Sequence, residues 1–207
     1  MTPNDPATPA PRPNLWDRYI GPGASNNEQI AVSTALCAGM LLGSLTLDGG
    51  PLALTVLTLL AADLCGGLVA HLSGPAARRA HAPGRTNVHH LLWVSGQALQ
   101  FALFVWLCRD AEALRLAVVL VLLFAGSLVV LMADPQMQRK YGLGAVCISL
   151  VIVDATVGLQ AQGGWFLPLL LTKVFIAYLP QPLEDEAVTA YEGPADGGGV
   201  PGARSGD

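Results

Sequence analysis

Residues 52–73, LALTVLTLLAADLCGGLVAHLS, decide the fold, because this apolar run is long enough to cross a bilayer and has one acid near its centre. About 20 apolar residues at 1.5 Å each span the hydrocarbon core of a membrane, so we predict Asp63 near the midplane. An ionised carboxylate is unfavourable there unless it is paired, hydrated or protonated. On a helix Asp63 shares a face with Gly66 and Ala70, and small residues let a neighbouring helix approach. We therefore expect Asp63 to point into a helix bundle and to be functional.

The composition excludes a soluble domain and a nucleic-acid-binding protein. The 207 residues are 52% hydrophobic and 13% charged, whereas about a quarter of the residues in soluble domains are charged. The formal net charge is −4, without the basic patch that nucleic acid requires. The cysteines, Cys37, Cys65, Cys108 and Cys147, occur singly in separate apolar segments, which predicts neither a redox pair nor a metal site. We expect an all-α integral membrane protein that contacts the lipid bilayer and needs no cofactor.

Turns and charged loops divide the apolar sequence into six predicted transmembrane helices. Ser25 and Glu28 have the S-x-x-E spacing of a capping box, which marks the start of the first helix. The predicted spans are residues 28–47, 52–73, 88–108, 114–133, 143–161 and 164–179. The last span is short and contains Pro168, so we expect it to be kinked or tilted. This domain, residues 26–180, lies between a proline-rich tail, residues 1–25, and an acidic glycine-rich tail, residues 181–207, both predicted to be disordered.

The distribution of basic residues predicts the orientation in the membrane. Six spans place both tails on one side. The basic residues on that side are Arg12, Arg18, Arg78, Arg79, Arg85, Arg139 and Lys140, and those on the other are Arg109 and Arg115. Because cytoplasmic loops carry an excess of Lys and Arg, we expect a cell inner-membrane protein with both termini in the cytoplasm.

Polar residues from four predicted spans fall near the midplane, which indicates mutual hydrogen bonding or a shared cavity. They are Asp63, Gln97, Gln100, Asp154 and Lys173. Two neighbouring carboxylates share a proton and provide an acid beside a base. We therefore predict a catalytic pair in which Asp63 donates a proton and Asp154 accepts one. Lys173 either neutralises one of these acids or extends its side chain to the interface, and the sequence leaves both arrangements open.

The third predicted span provides a candidate substrate-binding face. Trp93, Gln97, Gln100 and Phe104 follow one another at helical spacing. Aromatic rings and amides suit an apolar ligand that develops positive charge, and Lys173 is added to this set. The alternative interpretation is an ordinary core stripe with interhelical glutamine hydrogen bonds.

Histidines and arginines cluster at the predicted cytoplasmic ends of the helices and are candidates for contact with an anionic headgroup. The residues are His71, Arg78, Arg79, His89 and His90. Adjacent residues on a helix point about 100° apart, so His89 and His90 are poorly placed to bind one metal ion together. We predict no metal site.

A small polytopic protein with isolated intramembrane acids, here Asp63 and Asp154, resembles in general form the integral-membrane terpene cyclases of meroterpenoid pathways. The better-known members have seven spans where we count six, and no family motif is matched residue by residue, so no site residues follow from the resemblance. The favoured hypothesis is an acid–base enzyme, of cyclase or isomerase type, acting on a lipophilic isoprenoid substrate. The alternatives are a proton-coupled carrier or exporter and a non-catalytic membrane scaffold.

Overall fold

The computed structural model describes residues 14–108, 113–158 and 163–182, and every regular element within these ranges is helical. The helices are α1 (Leu15–Tyr19), α2 (Asn26–Thr46), α3 (Pro51–Leu72), α4 (Gly74–Ala80), α5 (Asn87–Leu107), α6 (Ala113–Met132), α7 (Pro135–Val157) and α8 (Phe166–Thr172), which continues as the π-helical segment Lys173–Tyr178. Of these, α2, α3, α5, α6 and α7 are long and apolar enough to cross a membrane, which indicates a multi-pass membrane protein. The remainder of the two predicted tails, residues 1–13 and 183–207, lies outside the described residues.

The sixth predicted span is the shortest and also the most enclosed part of the structure. Phe166–Tyr178 extends only about 20 Å at 1.5 Å per residue, against about 30 Å for the hydrocarbon core. Its residues Phe166, Lys173 and Phe175 are fully buried, because α3, α6 and α7 pack around it. A helix surrounded by protein tolerates irregular backbone that lipid does not, and this explains how a π-helical segment persists here. Pro168 lies in the first turn of α8, where no backbone hydrogen bond is lost.

The helix α7 begins at Pro135, earlier than the predicted residue 143. Proline is favoured in the first turn of a helix because its fixed φ suits the turn and its missing N–H needs no partner. Arg139 and Lys140, which the sequence places in a loop, lie exposed on the first turns of α7. Because the helix is Pro135–Val157 and not residues 143–161, Asp154 lies in its last turn instead of the middle of a span.

The hairpin of α2 and α3 is held together by small residues. The predicted capping box of α2 is confirmed, since the Ser25 amide donates to the Glu28 carboxylate at 2.7 Å. Gly39 of α2 lies directly against α3, where a methyl group would come within 2.8 Å of the Ala62 Cα. This close approach fixes α3 and, with it, the position of Asp63.

Residues 14–25 are not the unpacked tail predicted from the sequence. Asn14 caps α1 by accepting a 2.7 Å hydrogen bond from the Asp17 amide, and Ile20 is fully buried. The Arg79 guanidinium donates to the backbone carbonyls of residues 17–19. Three consecutive carbonyls at a helix C-terminus are a favourable site for a cation, and this contact holds α1 against α4.

Candidate functional site

Asp63, near the centre of α3, forms an ion pair with Lys173. The Lys173 ammonium donates to the Asp63 Oδ2 at 2.7 Å and lies 3.3 Å from the Asp63 backbone carbonyl. The Gln100 amide of α5 donates to the same carboxylate oxygen at 3.0 Å. Of the two arrangements that the sequence leaves open for Lys173, the structure has the paired one.

The two members of the ion pair differ in accessibility. The Lys173 side chain is 2% exposed, whereas the Asp63 side chain is 39% exposed. Among the described residues both donors to this carboxylate bond to Oδ2, and Oδ1 takes no hydrogen bond. Charge-assisted hydrogen bonds are stronger than neutral ones, so the bonds to Oδ2 hold the carboxylate in place and leave Oδ1 without a hydrogen bond from the described residues.

Lys173 and Tyr178, at the two ends of the π-helical segment, both contact Trp93. The Lys173 Nζ lies 5.9 Å from the centre of the Trp93 ring, and Tyr178 stacks on Trp93 at 3.6 Å between ring centres. Residues five apart lie about 140° apart on an α-helix. In a π-helix the hydrogen bonds join residues five apart, as the 3.0 Å bond from the Leu179 amide to the Val174 carbonyl does. Lys173 and Tyr178 therefore lie closer to one face than they would on an α-helix, and both approach Trp93.

His71, His90, Trp93 and Tyr178 form an aromatic cluster between the ion pair and the end of the bundle where α4 lies. The His71 ring is 5.1 Å from the rings of both Trp93 and Tyr178, and the His90 ring is 5.5 Å from Tyr178. His90 is 5% exposed. Each of the two histidines has a buried Nδ1 without a hydrogen-bond partner among the described residues.

His81, which precedes α5, attaches this cluster to the end of the π-helical segment. Its Nε2 lies 3.1 Å from the Tyr178 carbonyl oxygen, and its ring stacks on His90 at 4.9 Å. Burial lowers the pKa of His81, and the nearby carbonyls of Tyr178 and Pro180 offset part of this effect. The neutral imidazole is therefore the form that packs here at neutral pH.

A cavity of about 270 Å³, which we call the vestibule, opens beside the aromatic cluster. Trp93 and Tyr178 line it together with Leu92, whereas Arg85 and His89 are exposed residues of its wall. His89 also caps α5 through its Nδ1, 2.9 Å from the Thr86 hydroxyl. The combination of an aromatic surface and cationic groups suits an amphiphile with an anionic head.

A second cavity, of about 410 Å³, lies on the other side of His71. Arg78 and Arg139 contribute to its wall. Arg79, by contrast, lines the vestibule while its guanidinium binds the carbonyl groups of α1. Of the headgroup residues predicted from the sequence, His71 thus lines both cavities, Arg78 lines one, Arg79 and His89 line the other, and His90 packs in the aromatic cluster.

Tyr19 is a site residue that sequence reasoning missed. Its hydroxyl is buried without a hydrogen-bond partner among the described residues and lies 3.3 Å from the point where a Cβ on Gly66 would stand. Burial, and secondly the Asp63 carboxylate, raises the pKa of Tyr19 to about 12. The sequence signal for this residue is the N-x-x-D pattern at residues 14–17, because Asn14 and Asp17 cap the helix that carries Tyr19.

Asp154 does not join Asp63, which corrects the predicted catalytic pair. Because α7 starts at Pro135, Asp154 lies exposed in its last turn. At that end the Arg115 guanidinium donates to the Val157 carbonyl at 3.2 Å. The groups that contact the Asp63 carboxylate come from α5 and the π-helical segment.

The predicted substrate-binding face of α5 is divided between the site and the core. Trp93 and Gln100 belong to the site, as described above. Gln97 is 6% exposed, and its amide oxygen has no partner among the described residues. Phe104 stacks on Phe166 at 4.0 Å between ring centres, in the hydrophobic core further along α5. Phe104 is therefore a packing residue, in accordance with the core alternative.

In the described parts of the chain, no three His, Cys, Asp or Glu side chains are grouped so as to hold a metal ion. Comparisons with protein-family models, with curated proteins and with solved structures find no match to this chain.

Proposed function

We propose that this chain is an integral membrane enzyme that carries out acid–base chemistry on a lipophilic substrate of the isoprenoid class. The observation that carries the proposal is the geometry of Asp63: two donors fix one carboxylate oxygen, the other takes no hydrogen bond from the described residues, and the side chain is 39% exposed. A positioned carboxylate with an accessible oxygen is suited to proton transfer.

The arrangement favours a mechanism with a single proton-transferring residue. When the proton shared with Lys173 lies on Asp63, Asp63 gives a proton to one carbon of a double bond, and the carboxylate so formed removes a proton from a carbon next to the resulting cation, which shifts the double bond and leaves Asp63 protonated again. Between turnovers the Asp63 proton exchanges with water, because the side chain is 39% exposed. Atoms and charge balance, because the product is an isomer of the substrate. Lys173 and Gln100 hold the carboxylate throughout, and Trp93 positions Lys173. This scheme replaces the predicted pair of aspartates.

The vestibule supports an amphiphilic substrate with an anionic headgroup. In the proposal Arg85 and His89 contact the headgroup. Arginine binds phosphate oxygens in a bidentate manner, so a phosphate or diphosphate ester fits this wall. The apolar chain then passes the aromatic cluster toward Asp63.

We further propose six passes, with both termini on the cytoplasmic side of a cell inner membrane. The contacts at the ends of the described chain support this topology. Arg79 holds α1, and His81 of the adjoining loop contacts Tyr178 near the end of the last helical segment. The first and last elements thus meet at one end of the bundle, which also bears Arg78 and Arg85.

The test is mass spectrometry of lipid extracts from cells that express the wild-type chain or the variants Asp63→Asn and Asp154→Asn at equal levels in the membrane. We expect a changed lipophilic species with the wild-type chain and with Asp154→Asn, and its loss with Asp63→Asn. An unchanged extract profile in Asp63→Asn relative to the wild-type chain would contradict the proposal. So would equal loss of the product in both variants.

A proton-coupled carrier is the second candidate, because an ion pair enclosed between helices can also load and release a proton. The carrier hypothesis used Asp154 as a second acid, but Asp154 lies exposed in the last turn of α7. Flux in proteoliposomes driven by a pH gradient separates the two functions. A carrier moves an unchanged solute in proportion to the gradient, whereas the enzyme changes its substrate without a gradient.

A further inference from the structure

A groove on the outer surface of the bundle, between α6 and α7, is separate from the site described above. Its volume is about 280 Å³. Small residues from both helices line it together with larger apolar side chains. The small residues are Ala125, Gly126, Gly144 and Ala145, and the larger ones include Leu122 and Ile148.

The two ends of the groove differ in polarity. Lys140 and Tyr141 lie at the end nearest the start of α7, where both are exposed. Tyrosine is enriched where the hydrocarbon core meets the headgroups, and lysine binds anionic lipid headgroups at the same depth. From Lys140 to Ser149 the groove follows α7 for about 13 Å at 1.5 Å per residue, which is roughly the thickness of one leaflet of the hydrocarbon core.

The volume of the groove, about 280 Å³ along about 13 Å of α7, selects between possible occupants. A helix with its side chains is about 10–12 Å across, too wide to enter between two packed neighbours. A single acyl chain is narrow enough. At Gly144 no atom stands within 4 Å of the position that a Cβ would take, so the space above this residue is open to such a chain.

We infer that the groove between α6 and α7 binds one anionic phospholipid, with an acyl chain along the small residues and its phosphate beside Lys140 and Tyr141. The cation at the headgroup depth favours an anionic lipid over a zwitterionic one. This inference is independent of the proposed enzymatic function, because none of its residues contacts the Asp63–Lys173 pair.

Native mass spectrometry of the full chain in detergent, titrated with phosphatidylglycerol or phosphatidylcholine, tests the inference. One lysine at an anionic surface changes affinity about fivefold, so we expect a preference of that size for phosphatidylglycerol. Lys140→Gln should abolish the preference and retain binding of both lipids. Gly144→Leu fills the groove and should remove the bound lipid whatever its headgroup.

Gly96→Leu is the matched control, since Gly96 lies within α5, is exposed and likewise has open space at its Cβ position. Both substitutions remove a helical glycine and add the same side chain, so any general effect on helix stability is shared. We expect Gly96→Leu to bind lipid like the wild-type chain. Wild-type binding by Gly144→Leu, or no headgroup preference in the wild-type chain, would overturn the inference.

Discussion

The Lys173 ammonium lies 2.7 Å from the Asp63 carboxylate although 110 positions separate the two residues in the chain. Their contact joins the central π-helical segment to α3. Removing one partner of a buried pair leaves an uncompensated charge, which costs about 3–5 kcal/mol, whereas replacing both is often neutral. The pair is therefore expected to behave as a unit.

We predict that Lys173→Met lowers the free energy of unfolding by about 1–2 kcal/mol, less than for a fully buried pair because the remaining Asp63 is 39% exposed, and that adding Asp63→Asn to this variant recovers most of the loss. The reason is that methionine fills the volume of the lysine stem, while asparagine removes the remaining charge. Denaturant unfolding in micelles measures both values. A double variant as unstable as Lys173→Met alone would mean that the charge pair is not the source of the effect.

Gly67→Ala should separate positioning of the ion pair from stability of the fold. An added methyl group would lie 2.7 Å from the Lys173 Cε and 2.8 Å from its Nζ, so the end of this flexible side chain must move away from Asp63. We predict a loss of turnover of about a hundredfold, the size expected when a catalytic group is misplaced by about 1 Å, with a small change in melting temperature.

Gly39→Ala is the comparison for Gly67→Ala. There the added methyl group meets the backbone of α3, including the Ala62 Cα at 2.8 Å, which cannot rotate aside. This variant should lose stability first, because the packing of α2 on α3 must open. Equal effects of the two substitutions on melting temperature would contradict the distinction.

The raised pKa of Tyr19, about 12, predicts a stability change at high pH. Tyrosine in an unfolded chain titrates near pH 10, so between about pH 10 and 12 the folded state binds more protons than the unfolded state. Stability then falls as the pH rises through this range. Thermal unfolding at a series of pH values should show a smaller decrease for Tyr19→Phe, since phenylalanine has no hydroxyl to ionise.

Arg79→Ala should release α1 from the bundle. The guanidinium donates to the carbonyls of residues 17–19, and alanine cannot replace these bonds. We expect faster amide hydrogen exchange in residues 14–21, with the exchange of α3 and α5 unchanged. Arg78→Ala is the control, because Arg78 lies one position away and points to the second cavity instead.

Hydropathy predicted the positions of the long helices because lipid requires about 20 apolar residues in each. The same argument placed Asp63 near a midplane and on the face of Gly66. The partner of Asp63 was not determined by sequence, since a contact between residues 110 positions apart depends on how the helices pack. From the sequence, Lys173 could equally pair with an intramembrane acid or extend its side chain to the membrane interface.

Exposed basic side chains such as Arg139 and Lys140 are compatible with the first turns of a helix as well as with a loop. A prediction that assigns them to a loop starts α7 too late and places Asp154 in the middle of a span. Residues 14–20 lack a repeated apolar pattern, so α1 was missed. Its stability depends on a cap at Asn14 and on Arg79 from a distant element.

Deuterium incorporation shows whether Asp63 transfers a proton to and from a lipid. The purified chain is reconstituted with the total lipid extract of its source cells in D2O, and the lipids are analysed by mass spectrometry. We predict a lipid that gains deuterium at carbon with the wild-type chain and with Asp154→Asn, and none with Asp63→Asn. Equal labelling by Asp63→Asn and the wild-type chain, or no labelled lipid with the wild-type chain, would contradict the account.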